Sequence, residues 1–569
     1  MIKLCEKRKR LLVEKGPLIV KGGPGAGKTT ISILKAQQII ADGELLKGQK
    51  ILFLSFARST VGRVIESAKS MIPKESFKHL EINTYHGFTW SIIQSYSRLI
   101  VKHRFIRLLP PPETASILFG LDKDERKAKS LLLFTDEGIL TFDLFAEKAV
   151  EILQRVKSVR NIISDTYPYI FVDEFQDTDP HEWSFIKLLG EQSTIVALAD
   201  PYQRIYDFRG ANPKRIKEFS DHFEPVVFDF EDENNRSGGK DIAKFGNDLL
   251  TGANKGKRYK DVIITPYNFD GGEPMSAVKY TLLNSLKRLK ASNPNGDWSI
   301  AILVKTKAST LSLSSYLSKK SSRLPEFYHE VMIDPSGPSL SAMIIAGLME
   351  PNEAATRKID FIGSIIAHLR GRKDKITLED QKSAEFLKTY LETGAVRGKN
   401  KVLLVQEIDT IIKRVAEIEY TGIPQTDWLK VRKLLEHCSN SVLKDIFEDS
   451  KYLRLLNKGA LLGERLAETW RQNQHYANAR EAIKDALLQE HFSMSNRSYH
   501  GIFVMTLHKS KGKEFDEVII WEDKYHSIVP YNATPGAVEQ ARYLLRVGVT
   551  RAKNLTTICT PSASRCILV

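Results

Sequence analysis

Gly22-Gly-Pro-Gly-Ala-Gly27-Lys28-Thr29 decides the fold. It follows the short apolar run Leu18–Val20 and precedes Thr30–Ile40, whose composition suits a helix. A glycine-rich turn between a strand and a helix lets successive backbone N–H groups face one concavity. The helix N-terminus adds a dipole that favours anions. Gly22, Gly23, Pro24, Gly25, Ala26, Gly27, Lys28, Thr29 and Thr30 are therefore expected to cradle the phosphates of a nucleotide. Lys28 is expected to reach the β- and γ-phosphates, and the Thr29 hydroxyl to hold Mg²⁺. The motif does not say what the nucleotide powers.

Outward from the cradle, apolar and β-branched runs recur at Ile51–Phe56, Tyr169–Val172, Ile195–Leu198 and Val226–Phe228. A second set is Ile300–Val304, Ile502–Met505, Val518–Trp521 and Thr556–Cys559. Helical patterns separate them, which indicates an α/β protein with parallel sheets. Trp90–Asp165 and Ser339–His491 read as helical, so each of two α/β domains is expected to carry a mainly helical insertion. The expected boundaries are 1–90 with 166–221 for the first domain, 91–165 for its insertion, 222–345 with 492–569 for the second, and 346–491 for its insertion.

The 569 residues are 42% hydrophobic and 27% charged, a folded rather than a disordered balance. Lys and Arg exceed Asp and Glu to give +15, which favours a polyanion, either nucleic acid or an acidic membrane surface. No apolar run reaches the roughly 18–20 residues of a membrane span. The first residues lack an apolar signal segment, which argues for a cytoplasmic protein. The four cysteines, Cys5, Cys438, Cys559 and Cys566, form no Cys-x-x-Cys pair and so no zinc or iron–sulfur framework.

Tyr169-Ile-Phe-Val-Asp173-Glu174-Phe-Gln176-Asp177 places two carboxylates at the end of an apolar strand, where α/β folds bind ligands. Asp173 suits Mg²⁺, through water, and Glu174 suits the task of orienting or deprotonating an attacking water. Alone, the segment also fits a solvated acidic loop. Joined to the cradle, it points to ATP hydrolysis.

These motifs, with those downstream, resemble the UvrD/Rep/PcrA type of superfamily 1 helicases. Asp173-Glu-Phe-Gln-Asp-Thr178 is close to the Asp-Glu-x-Gln-Asp-Thr signature of that family. Leu54-Ser-Phe56-Ala-Arg58 and Asn83-Thr84-Tyr85-His86-Gly-Phe88 follow the same order. So do Ala199-Asp200-Pro-Tyr-Gln203-Arg-Ile-Tyr206-Asp-Phe208-Arg209 and Asn234-Asn-Arg236-Ser237. Thr506-Leu-His508-Lys-Ser-Lys511-Gly-Lys-Glu514-Phe515 and Arg546-Val-Gly548-Val-Thr550-Arg551 complete the set.

The resemblance implies two RecA-like P-loop domains. It implies that Gln203 contacts the γ-phosphate, that Arg236 and Arg551 act as arginine fingers, and that Glu514 binds the ribose. It also implies a single-strand path lined by Phe56, Arg58, Thr84, Tyr85, His86, Tyr206, Phe208, Arg209 and His508. Aromatic rings suit such a path because every base offers a π-face. Phe208, between Tyr206 and Arg209, is the strongest candidate for base stacking.

Several features depart from the family pattern. The stretch Leu4-Cys-Glu-Lys-Arg8-Lys lacks the glutamine that reads adenine in relatives, and Asn235 stands where an aromatic ring stacks on it. Weaker, less adenine-selective binding is expected. Ala199 replaces a usual glycine, and the insertion between Pro351 and His491 is short and lacks the usual motifs. Only eighteen residues follow Arg551, so any nuclease is expected on a separate chain.

The leading expectation is a translocase that uses ATP and Mg²⁺ to move 3′ to 5′ on single-stranded DNA and to open single-strand/duplex junctions. The alternative is a DNA-sensing ATPase that signals to a separate nuclease subunit without productive unwinding. A P-loop kinase without nucleic acid leaves His86, Phe208 and Thr506–Phe515 unexplained.

Overall fold

The cradle strand, Leu18–Lys21, is the next-to-edge member of a six-stranded parallel sheet. In the computed structural model the sheet order, by strand, is Leu80–Thr84, Ile51–Ser55, Tyr169–Val172, Thr194–Ala199, Leu18–Lys21 and Val226–Asp229. The structure describes residues 4–55, 58–103, 105–203, 212–230, 233, 236–238, 241–268, 273–294, 296–320, 323–333, 336–372, 376–451, 461–492 and 499–569. Leu18 is level with Val196 on one side and Val226 on the other. Ile51–Ser55 is buried along its whole length, as a strand covered on both faces must be. Ile31, Ile33, Ala36 and Ile39 of helix Lys28–Ala41 are buried, and they share one core with Leu18, Val20, Phe53 and Phe171.

A second six-stranded parallel sheet has the order Glu330–Met332, Gly501–Thr506, Ser299–Val304, Phe515–Trp521, Ala552–Pro561 and Val262–Tyr267. One core contains Leu303, Met505, Ile520 and Leu545; another contains Ile302, Val504, Ile519 and Leu282. Alternating residues of the same strands thus supply separate cores, the signature of a sheet with helices on each face. The parallel-sheet α/β architecture expected from the sequence is therefore present twice. Helix Pro535–Val549 starts with proline at its first turn, and the Thr534 hydroxyl accepts a hydrogen bond from the Ala537 N–H at 3.3 Å.

The chain divides into two compact units. One comprises Met1–Ser95, Ala146–Ile333 and Met494–Val569 and holds both large sheets. The other comprises Tyr96–Phe145 and Asp334–Ser493. The second unit is built around helix Ser336–Met349, in which every residue from Gly337 to Met349 is buried. A helix apolar on all sides has no solvent face and becomes the centre of a bundle. Its core includes Ile365, Ile408, Val431, Ile446, Leu466 and Ile483, one from each of six surrounding helices. Strands Arg107–Leu109 and Ile139–Thr141 pair in parallel beside it. Two contacts stitch the sequence-distant halves of this unit: Lys484 to Glu113 at 2.9 Å, and Gly371, where a Cβ would lie 2.4 Å from the Pro112 carbonyl. Among the described residues, no helix is long and apolar enough to cross a membrane.

Candidate nucleotide and strand site

The cradle leaves strand Leu18–Lys21 and enters helix Lys28–Ala41 through Gly25 and Gly27, at φ +80° and +82°. Those left-handed conformations favour glycine and turn the backbone around the concavity. Lys28 folds back over the loop, donating to the carbonyls of Gly22 at 2.6 Å and Gly23 at 3.2 Å. Burial pushes its ammonium pKa down, against the attraction of Asp200, Glu174 and Asp173. An anionic phosphate relieves that burden, which is the chemistry a P-loop lysine provides.

Asp173 and Glu174 end strand Tyr169–Val172 as expected. Asp173 is 8% exposed, and burial beside Glu174 drives its pKa up. Glu174 has φ +54°, a left-handed conformation that is uncommon for a non-glycine residue. Its backbone N–H donates to Asp173 Oδ1 at 2.9 Å, and its Oε2 accepts from Gln176 Nε2 at 2.6 Å. Burial alone raises the Glu174 pKa; Lys511, Lys28, Gln176 and Arg551 outweigh it and hold the group as a carboxylate. Thr29 and Asp173 supply one hydroxyl and one carboxylate. That small oxygen set fits Mg²⁺, which completes its shell with water and phosphate oxygens.

The second sheet contributes the remaining groups. Lys511 is bonded to Asp177, donates to the Gln203 carbonyl at 2.8 Å and lies 3.5 Å from Glu174 Oε2. Glu514 Oε1 receives Arg236 Nη2 at 2.7 Å and Arg63 Nη1 at 2.8 Å. These arginines and Arg551 overcome burial and hold the Glu514 pKa at about 2. Arg551 is 2% exposed and bonds to the carbonyls of Val547 at 2.9 Å and Lys513 at 3.5 Å. Burial, Arg236 and Arg63 push its pKa down to about 9. Arg546 reaches Asp200 at 3.3 Å, with both side chains 2% exposed.

The structure thus brings Lys28, Asp173, Glu174, Gln203, Arg236, Glu514 and Arg551 around one cleft. Sequence reasoning missed Arg63 and gave no role to Lys511, Asp200 or Arg546, although it quoted the last three within motifs. Arg63 carries no local signal: its partner Glu514 is 451 positions away.

The expected strand path is seen in part. His86 is exposed, and His508 is half-buried with a pKa lowered by burial and by Lys305. The Thr84 hydroxyl accepts the Gly87 N–H at 3.0 Å and so caps helix Tyr85–Tyr96. Tyr85 requires a correction. It is 2% exposed, a core side chain whose hydroxyl pKa burial, Glu182 and Asp179 push up, and it presents no face for a base. Phe56, Tyr206, Phe208, Arg209 and Asn235 lie outside the described residues, as does the side chain of Arg58.

Two parallel sheets, one bearing a P-loop and acidic strand end and the other facing it with arginines, define a tandem RecA-like P-loop protein. A family model described as "UvrD/REP helicase N-terminal domain" matches residues 5–132 and 126–224. A "Probable DNA helicase II homolog" of Rickettsia felis is 23% identical across 96% of this chain and 90% of its own length. "DNA helicase II" of Haemophilus influenzae is 23% identical across 97% and 83%. "ATP-dependent DNA helicase Rep" of Escherichia coli is 24% identical across 41% of each chain. The chain is thus similar over nearly its whole length to proteins named DNA helicase II, and its residues 5–224 match the UvrD/REP helicase N-terminal domain.

Proposed function

We propose that this chain is a cytoplasmic DNA helicase that couples Mg-ATP hydrolysis to 3′–5′ movement along single-stranded DNA and opens single-strand/duplex junctions. The observation that carries it is the convergence, from two sheets, of Lys28, Glu174, Arg236 and Arg551 on one cleft. The names of the relatives support DNA as the track and ATP as the fuel.

In this proposal Lys28 leaves the Gly22 and Gly23 carbonyls for the β- and γ-phosphates. Thr29 and Asp173 would hold Mg²⁺, which would supply neutralisation of the triphosphate charge. Glu174 orients the attacking water and accepts its proton. Gln203 senses the γ-phosphate from the first sheet, Glu514 takes the ribose, and Arg236 and Arg551 stabilise the charge that develops on transfer. Hydrolysis removes the group that draws both sheets' cations together, so the cleft relaxes once per turnover. His86 and His508, with Phe56, Arg58, Thr84, Tyr206, Phe208 and Arg209, contact the strand that these cycles advance.

The test is ATP hydrolysis with and without single-stranded DNA, single-stranded RNA and duplex, joined to strand displacement on 3′- and 5′-tailed substrates. DNA-stimulated hydrolysis with displacement from 3′ tails is expected, and a Lys28→Ala variant that keeps the stimulated rate overturns the proposal. Hydrolysis without displacement favours the DNA-sensing alternative.

A further inference from the structure

Arg546 lies in the last turn of helix Pro535–Val549 and is 1% exposed, although no role falls to it in the chemistry above. Its Nη1 is 3.3 Å from Asp200 Oδ2, its Nη2 donates to Asn247 Oδ1 at 3.1 Å, and its guanidinium carbon is 5.8 Å from the centre of the Tyr202 ring. Asp200 belongs to the first sheet's side of the cleft; Asn247 lies in helix Ile242–Thr251, beside the second sheet.

Asp200 is a junction. Its Oδ1 accepts the Tyr202 N–H at 3.0 Å, and its carbonyl accepts the Gln203 N–H at 3.1 Å. Its own N–H donates to Gln176 Oε1 at 3.0 Å, and Gln176 in turn donates to Glu174 Oε2 at 2.6 Å. A continuous series of bonded groups therefore runs from the helix that precedes Arg551 to both Gln203 and Glu174. Among the described residues, the side-chain hydrogen bonds of Arg546 go to Asp200 and Asn247 and not to the proposed phosphate contacts.

A buried ion pair adds little net stability compared with well-packed apolar groups, but it accepts few geometries. The planar fork of arginine sharpens that restriction, since two nitrogens must meet two partners at once. Arg551 is five positions along the chain, immediately beyond the end of the same helix. Fixing Arg546 on Asp200 therefore fixes where Arg551 stands relative to Gln203 and Glu174.

We propose that Arg546 is a positioning residue that registers the Arg551 helix against the turn holding Gln203 and, through Gln176, against Glu174. The inference rests on the ATPase proposal above and assigns a residue that proposal does not use.

The test is steady-state ATP hydrolysis at saturating single-stranded DNA by the full chain, Arg546→Gln, Arg546→Lys, Arg551→Ala and the Arg546→Gln/Arg551→Ala double variant. Arg546→Gln should lower kcat by about 10–100-fold, since misplacement of a reacting group by about an ångström has that effect. KM for ATP should stay within about threefold, because ground-state contacts remain. Arg546→Lys keeps the charge on Asp200 and should recover part of the loss. In the Arg551→Ala background, Arg546→Gln should add less than about twofold, because a residue acting through Arg551 has nothing left to position. A merely structural role gives the full loss again in that background and overturns the inference, as does an unchanged kcat in Arg546→Gln. If Arg546→Gln does not fold, Asp200→Asn/Arg546→Gln leaves no unpaired buried charge and takes its place in the same cycle. Wild-type protein without DNA-stimulated hydrolysis sinks the ATPase proposal itself; a stimulated wild type with additive losses sinks only the role of Arg546.

Discussion

Arg236 and Glu514, both expected at the nucleotide, are bound to each other: Nη2 lies 2.7 Å from Oε1. The same oxygen holds Arg63 at 2.8 Å, so one carboxylate stands where two guanidinium groups converge. ATP brings a more highly charged anion to that cation pair, and its ribose is the partner expected for Glu514.

The pair makes stability in the absence of nucleotide depend on pH. The Glu514 pKa is held at about 2 against an ordinary 4.5. A depressed folded-state pKa gives stability that is present above the unfolded value and lost as pH falls toward the folded one. Glu514→Gln should therefore destabilise the protein at pH 7 by about 1–3 kcal/mol, the cost of leaving buried donors without a charged partner. The difference between variant and wild type should shrink between about pH 4.5 and pH 2. Urea denaturation across that range measures it, and a difference that stays constant with pH refutes the assignment.

Lys511 gives a second prediction. Its side chain is 3% exposed and its partner Asp177 is 1% exposed, so Lys511→Met removes the charged partner of a buried carboxylate. Breaking such a pair costs about 3–5 kcal/mol, whereas removing both charges costs much less. Thermal denaturation should show a large loss for Lys511→Met and a substantial recovery in Lys511→Met/Asp177→Asn. Equal loss in both variants contradicts the pairing.

The same two kinds of residue mark where sequence reading succeeds and stops. The P-loop and the strand ending in Asp173-Glu174 were legible because their chemistry is written in consecutive residues. So were the inner strands, such as Ile51–Ser55 and Ser299–Val304, because burial on both faces forces an unbroken apolar run. Leu80–Thr84, Val262–Tyr267 and Glu330–Met332 fell outside the runs read as strands. All three are sheet edges, and in Leu80–Thr84 the apolar pattern is interrupted by Glu81 and Asn83. The cleft pairs were illegible for a different reason. Lys511 meets Asp177 across 334 positions and Arg546 meets Asp200 across 346, separations that only the folded chain closes. Tyr85 was misplaced because a motif position does not specify on which side of its helix the ring is buried.

Nucleotide selectivity follows from Arg8. Its guanidinium donates to the Ala26 carbonyl at 3.0 Å, pairs with Glu233 at 2.5 Å and lies 4.8 Å from the centre of the Phe230 ring. These contacts tie it to the cradle and to the segment leading to Arg236. Arginine also has donors only, and adenine presents an acceptor beside a donor on the edge that glutamine matches. Comparable kcat/KM for ATP and GTP is expected. Strict adenine preference with a low-micromolar KM counts against this.

Arg551 separates turnover from folding most sharply. It is 2% exposed, and burial with Arg236 and Arg63 nearby pushes its pKa down to about 9. A base whose folded-state pKa is depressed binds its proton less readily folded than unfolded. At pH 7 the charged guanidinium therefore opposes folding of the empty cleft. In the proposed reaction the same unbalanced charge meets the transferring phosphoryl group, where an arginine finger contributes about 10³–10⁵ in rate. Arg551→Ala should accordingly lose about 10³-fold or more in DNA-stimulated kcat. Its thermal midpoint without nucleotide should equal or exceed that of the wild type. A variant that melts well below the wild type shows the guanidinium to be part of the fold, and one that hydrolyses ATP normally removes it from the reaction.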